Sequence, residues 1–424
     1  MFFIGNELEQ IRKNNISGIN FWQFLVISFR YNSKFSRGTV QFHFDKIIKT
    51  RIMKRTILLA ISMACAVTLQ AKTWTAQEVR DIVYKVNNTW QMNHDQERSF
   101  WDPAVYHTGN MEAFFTFGNL AWLEYSKQWA DRNLWQGARE KDSSKWRYKQ
   151  YGESMQHVLF GDWQICFQTY LDLNQVFPAD YKVARAKEVM SFEADSKDAD
   201  FWWWADALYM VMPVMTKMYC LTGDAKYLDK MYENWKYANS IMYDEETGLY
   251  FRDGKYVYPK HTTAAGKKDF WARGDGWVLA AFAKVLKDLP KNHKNRKEYL
   301  AFYKRQAAAV AACQQAEGYW TRSMLDPEQA PGRETSGTAL FCYGLQWGIN
   351  NGLLDAKTYQ PVADKAWEYL ATIALQPDGT VGYVQPIGEK AIPGQVVNQK
   401  SVTNFGTGAF LLAACEYYRH LKEK

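Results

Sequence analysis

The octapeptide Phe270-Trp271-Ala272-Arg273-Gly274-Asp275-Gly276-Trp277 holds the densest set of chemistry-bearing side chains in this chain. Arg273 offers a planar fork that can grip a carboxylate through two parallel hydrogen bonds, and the faces of Trp271 and Trp277 can stack on a pyranose ring. Together they suit an acidic sugar. Read alone, the segment is equally well an aromatic cluster at a helix start.

Two carboxylates stand out by context, Asp162 in Gly161-Asp162-Trp163 and Asp206 after Trp202-Trp203-Trp204-Ala205. A carboxyl among aromatic rings is desolvated, which raises its pKa and suits it to general acid work near neutral pH; Asp206 is the better candidate. Asp162 as its partner pushes the two pKa values apart, leaving one carboxylate to stabilise charge or orient water. The bland alternative for each is a helix N-cap. His261 lies in a polar loop ten positions before Trp271, within reach of the same pocket or simply exposed to solvent. Trp101, Tyr106 and His107 offer a stacking platform or ordinary core packing, and Glu334-Thr335-Ser336-Gly337 reads as a capping segment.

The elements that must bring these residues together repeat. Apolar positions follow helical spacing almost throughout, with few alternating runs. Ala205 to Leu221, Thr222-Gly223-Asp224 and Ala225 to Ser240 read as a helix stopped by Gly and a second helix started by Asp; Leu340 to Asn350, Asn351-Gly352 and Asp355 onwards repeat that grammar. Gly-aromatic elements follow at Gly248, Gly318 and Gly382, spaced 70 and 64 residues apart. Six helix starts fall near Trp101–Gly109 and at Asp162, Asp206, Arg273, Glu334 and Asn404, a period that signals a repeat architecture. The expected fold is all-α, an (α/α)6 barrel of six hairpins, with an open α-solenoid as the alternative. In the barrel, all six starts converge at one end, where helix N-termini favour an anionic ligand.

At 424 residues with 47% hydrophobic content, the chain is long enough for a large core. Met53-Lys54-Arg55, the apolar run Thr56 to Leu69 and Gln70-Ala71 have the three regions of a secretory signal peptide, with cleavage expected after Ala71. The expected organisation is therefore a mis-assigned extension over 1–52, a signal peptide over 53–71 and one catalytic domain over 72–424, exported to the periplasm or secreted. Cys65 leaves a lipoprotein reading open, although Ser62-Met63-Ala64 is a poor lipidation box. The apolar run Phe21 to Phe29 is too short to span a bilayer. Residues 1–71 carry ten of the 52 Lys+Arg and three of the 45 Asp+Glu, leaving 42 of each and no net charge in the mature part. That excludes the global basic field of a nucleic-acid binder. Five cysteines remain, each in an apolar segment and without framework spacing, and the seven histidines form no ligand pattern, so no metal is expected.

Taken together, Gly-Asp-Trp at Asp162, Trp-Trp-Ala-Asp-Ala-Leu-Tyr-Met at Asp206, Phe-Trp-Ala-Arg-Gly-Asp-Gly-Trp and Glu-Thr-Ser-Gly resemble the unsaturated glycuronyl hydrolases of glycoside hydrolase families 88 and 105, most of all the unsaturated rhamnogalacturonyl hydrolases of family 105. The resemblance runs from about Trp90 to the C-terminus. It implies the (α/α)6 barrel and an activity that removes the unsaturated uronic acid left on oligosaccharides by polysaccharide lyases, by hydrating the C4=C5 enol ether. It also implies that Asp206 protonates C4 and helps activate water, that Asp162 holds the sugar and stabilises charge at C5, and that Trp271, Trp277, Arg273, His261 and Tyr106 bind substrate, with no cofactor. The partner is an acidic oligosaccharide, with rhamnogalacturonan favoured over ulvan or glycosaminoglycan fragments. A conventional inverting glycosidase or a polysaccharide lyase on the same toroid, or a non-catalytic carbohydrate-binding protein, remain the competing readings.

Overall fold

The computed structural model describes residues 72–422. The extension, the signal peptide, its cleavage after Ala71 and Cys65 fall outside the described residues. The compact unit Lys72–Lys424 contains all that follows.

Thirteen α-helices are described: α1 Ala76–Asn93, α2 Trp101–Phe117, α3 Leu120–Arg132, α4 Gly161–Gln164, α5 Cys166–Val176, α6 Asp180–Asp195, α7 Ala205–Thr222, α8 Lys226–Met242, α9 Ala272–Asp288, α10 Arg296–Ala312, α11 Thr335–Asn350, α12 Ala356–Tyr369 and α13 Asn404–Lys422. Among the described residues β-pairing is limited to four isolated bridges. The helices alternate in character. In α10 only Tyr299, Tyr303, Gln306, Ala307 and Val310 are buried, one stripe at helical spacing. In α11 every residue from Thr335 to Gly348 is buried, so this helix is surrounded by others.

The surrounded helices close a ring, since α2 packs on α4 and α5, these on α7, α7 on α9, α9 on α11, α11 on α13, and α13 back on α2. An outer helix follows each hairpin turn, and α1 completes the set by packing on α13. The fold is thus the (α/α)6 barrel rather than an open solenoid. Two glycines allow α13 to close against α2: a Cβ at Gly408 would lie 2.4 Å from the Val105 carbonyl oxygen, and one at Gly109 2.3 Å from the Gly408 oxygen. The stops and starts follow the local chemistry. Gly223 ends α7 at φ 74°, and Asp355 caps α12 by accepting from the Thr358 N–H.

The Gly-aromatic elements hold the inner helix starts. The N–H groups of Ala205, Ala272 and Thr335 donate to the carbonyl oxygens of Arg252, Arg322 and Tyr383. Each acceptor lies four residues after a glycine of positive φ, namely Gly248, Gly318 and Gly379. The structural repeat therefore uses Gly379 rather than Gly382, because only the former makes the left-handed turn; the spacing becomes 70 and 61 residues. At the opposite end of the barrel, Glu112 on α2 pairs with Arg419 on α13 and with Lys287 on α9, fastening three inner helices away from their starts.

Candidate active site

The first turns of the inner helices share a pattern. The N-caps of α2, α4, α7 and α9 are aromatic, Phe100, Phe160, Trp204 and Trp271, and none makes a side-chain cap hydrogen bond. Two residues on stand Asp102, Asp162, Asp206 and Arg273. Neither Asp162 nor Asp206 is therefore an N-cap. Their carboxylates sit inside the first turn, where the helix dipole favours negative charge.

Asp162 and Asp206 face one cavity of about 180 Å³, with Arg252 from the loop after α8 as a third polar wall. Trp101, Trp204 and Met210 supply apolar surface, Tyr151 comes from the long α3–α4 connection, and Ile387, Gly388 and Glu389 complete the lining. The Arg252 Nε lies 3.5 Å from Asp206 Oδ2, yet neither atom makes a hydrogen bond. The Arg252 Nη1 holds Asp253 at 2.6 Å and lies 3.3 Å from Glu389.

Burial raises the pKa of both aspartates. For Asp206, the charges of Arg252 and Arg273 work against that rise. Asp162 is pushed well above the usual carboxylate range, by burial and then by the charge of Asp206, with only Arg252 opposing. Asp162 thus holds its proton more strongly than Asp206 does. The sequence puts the stronger rise at Asp206; the structure puts it at Asp162, because the cations gather on the Asp206 side.

The other sequence candidates divide. Arg273 is 1% exposed and does not line the cavity. Its guanidinium donates to the carbonyl oxygens of Gln385 at 2.7 Å and Pro386 at 2.9 Å, with longer contacts to Ser336 and Gly388, and lies over the rings of Trp271 and Phe405. Its donors are thus turned to the backbone that carries Ile387 to Glu389, and it straps one wall of the cavity rather than lining it. Burial lowers its pKa to about 10, against the pull of Glu334 and Asp206. Trp271 is likewise buried and donates to Gln385 Oε1 at 2.8 Å.

Trp277 is fully buried against Tyr209 in the ring of inner helices, a turn beyond the mouth. Tyr106 points outward from α2, with its hydroxyl donating to Asn87 of α1. Both pack the core, because each follows its helix start by more than one turn. His261 bonds Asp269 at 2.9 Å and meets Tyr256 edge-on; it does not line the cavity but adjoins the Tyr256 hydroxyl that donates to Glu389. Glu334 is a true N-cap, accepting from the N–H groups of Ser336 and Gly337, and it also accepts from the Gln385 N–H. Asn404 donates to Asp102 at 3.0 Å across the α13–α2 seam. The six expected starts do meet at one end, but only Trp101, Asp162 and Asp206 among them line the cavity. Arg252, Glu389, Tyr151 and Met210 were not foreseen.

Behind Asp162, a buried carboxylate fixes the turn. Glu193 accepts from Gln164 at 2.7 Å, Asn234 at 3.0 Å and Trp202 at 3.2 Å, tying α4, α8 and the aromatic strip before α7. Burial raises its pKa to about 7 from an ordinary 4.5. A raised carboxyl pKa favours folding most below the unfolded value, and that advantage is lost as pH rises towards the folded value. Between pH 4.5 and 7 the native protein should lose about 3 kcal/mol relative to Glu193→Gln. Urea unfolding at several pH values reads this; parallel stability curves for the two proteins would count against the ionisation.

Comparison with known proteins places this geometry in company. The family model described as Glycosyl Hydrolase Family 88 matches residues 69–421. A curated unsaturated 3S-rhamnoglycuronyl hydrolase of Formosa agariphila is 40% identical over 220 residues, 51% of this chain and 57% of that protein, so the chain spans just over half of that relative's length. A solved glycosyl hydrolase family 88 structure from Bacteroides vulgatus is 59% identical, with TM-score 0.80, covering 82% of this chain and 99% of that one. A second solved chain, named a polysaccharide lyase, is 63% identical with TM-score 0.81 and the same coverage.

Proposed function

The chain belongs to Glycosyl Hydrolase Family 88, and from that premise we propose that it removes a terminal unsaturated uronic acid from lyase-generated oligosaccharides by hydrating the C4=C5 enol ether. The observation that carries this reading is the pair Asp162 and Asp206, both pushed towards the protonated form, facing a cavity that Arg252 also lines. At about 180 Å³ the cavity is smaller than the roughly 300–1,000 Å³ typical of drug-sized ligands, which suits one terminal sugar ring rather than a chain threaded through.

In this reading Asp206 donates a proton to C4, which is the electron-rich carbon of the enol ether. The positive charge that develops at C5 is shared with the ring oxygen and faces Asp162. Water adds at C5 as a proton returns to the carboxylate pair, giving a hemiketal. That hemiketal opens and releases the rest of the oligosaccharide. An incoming uronate excludes water and sets a negative charge near Asp206, and both effects push the Asp206 carboxyl towards its protonated form. A proton donor and a water suffice for this step.

The name of one close structural relative favours a second reading, a lyase. A lyase needs an ionised base to take the C5 proton, whereas burial here drives both cavity carboxyls the other way. For the aglycone, the name of the Formosa relative supports an unsaturated uronic acid attached to rhamnose. The N-terminal pattern at 53–71 supports export to the periplasm or beyond the cell, with the mature chain starting at Lys72.

One assay separates the readings. Mixed with unsaturated rhamnose-linked uronides, the Lys72–Lys424 protein should abolish the enol-ether ultraviolet absorbance and leave saturated controls untouched. Rising absorbance on intact polysaccharide would establish the lyase instead, and no change with any acidic glycan would leave the conventional glycosidase or a binding role.

A further inference from the structure

Among the described residues Arg252 is the one cation lining the cavity, and it carries two carboxylates of different standing. Asp253 is buried and locked, accepting the Lys255 N–H at 2.7 Å as well as the Arg252 guanidinium. Glu389 is not locked in that way. Its side chain is 44% exposed, it lines the cavity, and its contact with Arg252 is the longer one at 3.3 Å. Its firmer partners lie elsewhere: the Tyr256 hydroxyl at 2.7 Å and the Lys255 Nζ at 3.1 Å. Burial raises the Glu389 pKa, but Tyr256, Lys255 and Arg252 outweigh it, so the group is ionised in the ordinary pH range.

We propose that Arg252 is the receptor for the sugar carboxylate, and that Glu389 holds its place in the free protein until an anionic sugar displaces it. The proposal rests on the reading of the ligand as a uronic acid. Three observations converge on it. Arg273, the guanidinium that the sequence singles out, has both Nη groups turned to backbone carbonyls. The Arg252 Nε–H makes no hydrogen bond and lies 3.5 Å from Asp206 Oδ2. A Glu389 carboxylate leaving Arg252 keeps Tyr256 and Lys255, so the exchange replaces one carboxylate by another at little cost.

The exchange also explains how a cavity walled by Asp162, Asp206 and Glu389 accepts an anion. With Glu389 in place, Arg252 is neutralised, and a neutral sugar has no charge with which to displace it. An acidic sugar substitutes its own carboxylate for that of Glu389 on Arg252, while Glu389 keeps Tyr256 and Lys255. Glu389 is therefore a specificity-determining residue that selects for the acid by making every ligand compete with it.

Binding by calorimetry tests this, with saturated galacturonic acid, glucuronic acid and their methyl esters as probes. The native protein should bind an acid more tightly than its ester. Arg252→Gln should weaken acid binding about 10- to 100-fold, as expected for loss of a charge-assisted pair, and change ester binding little. Glu389→Gln, at a half-buried position where the amide keeps the shape of the side chain, should tighten acid binding several-fold while Arg252 stays in place. Equal losses for acid and ester in Arg252→Gln, or unchanged acid affinity in Glu389→Gln, would each overturn the proposal. Because this readout needs no turnover, it is distinct from the absorbance assay: a protein that discriminates acid from ester but leaves the enol ether intact would refute hydration and keep the receptor.

Discussion

Asp206→Asn should keep the barrel intact and lower kcat by about 10²–10⁴-fold, the range for losing a positioned proton donor. The fold is expected to survive because the Asp206 side chain meets Arg252 in a 3.5 Å ion pair rather than in a structural hydrogen bond. The start of α7 is fixed by the Ala205 N–H on the Arg252 carbonyl, and Asp206 Oδ2 makes no hydrogen bond. Arg252 keeps Asp253 and Glu389 whatever stands at 206. An amide is nearly isosteric and removes a carboxyl that burial disfavours in its charged form, so the melting temperature should be unchanged or higher. Affinity for substrate should hold while turnover falls, which marks an interaction made in the transition state. Wild-type turnover in this variant would take the acid role from Asp206 and give it to Asp162, whose carboxyl is pushed further towards its protonated form.

The fold was legible because its grammar is local. Glycine stops, acidic starts and helical spacing are written in neighbouring residues, and each of the six expected starts opens an inner helix. The two cavity carboxylates were legible for the same reason: an aromatic N-cap followed two positions later by Asp marks both. The same signal marks Asp102, which adds its charge to the environment of Asp162 and was passed over because its sequence neighbours resemble no motif.

Arg252 and Glu389 were not legible, since they meet across 137 positions and neither sits in a helix. Only the loop register brings them together, through a turn at Gly248 and a strap at Arg273. Trp277 and Tyr106 misled in the opposite direction. Aromatic residues close to a site in sequence lie a turn or more down their helices, where the barrel needs large side chains to fill its wall.

Arg273→Ala should lower kcat/KM by about 100-fold, the scale for misplacing reacting groups by about 1 Å, although Arg273 does not line the cavity. The guanidinium holds the carbonyl oxygens of Gln385 and Pro386, and through them the stretch that carries Ile387, Gly388 and Glu389. Truncation leaves these buried acceptors unpaired and empties the space between Trp271 and Phe405. Each hydrogen bond to a charged donor contributes about 1.5–3 kcal/mol, partly offset because the buried charge is itself costly, so a net loss of about 2–4 kcal/mol is expected. Arg273→Lys should resemble the alanine variant more than the native protein, because an ammonium cannot span two carbonyls and stack between two rings. The decisive comparison uses the unsaturated substrate as free acid and as methyl ester. A residue that shapes the wall affects both forms alike, so their kcat/KM values should fall together. If only the acid suffers and the melting temperature holds, Arg273 contacts the carboxylate directly, and the receptor role passes from Arg252 to Arg273.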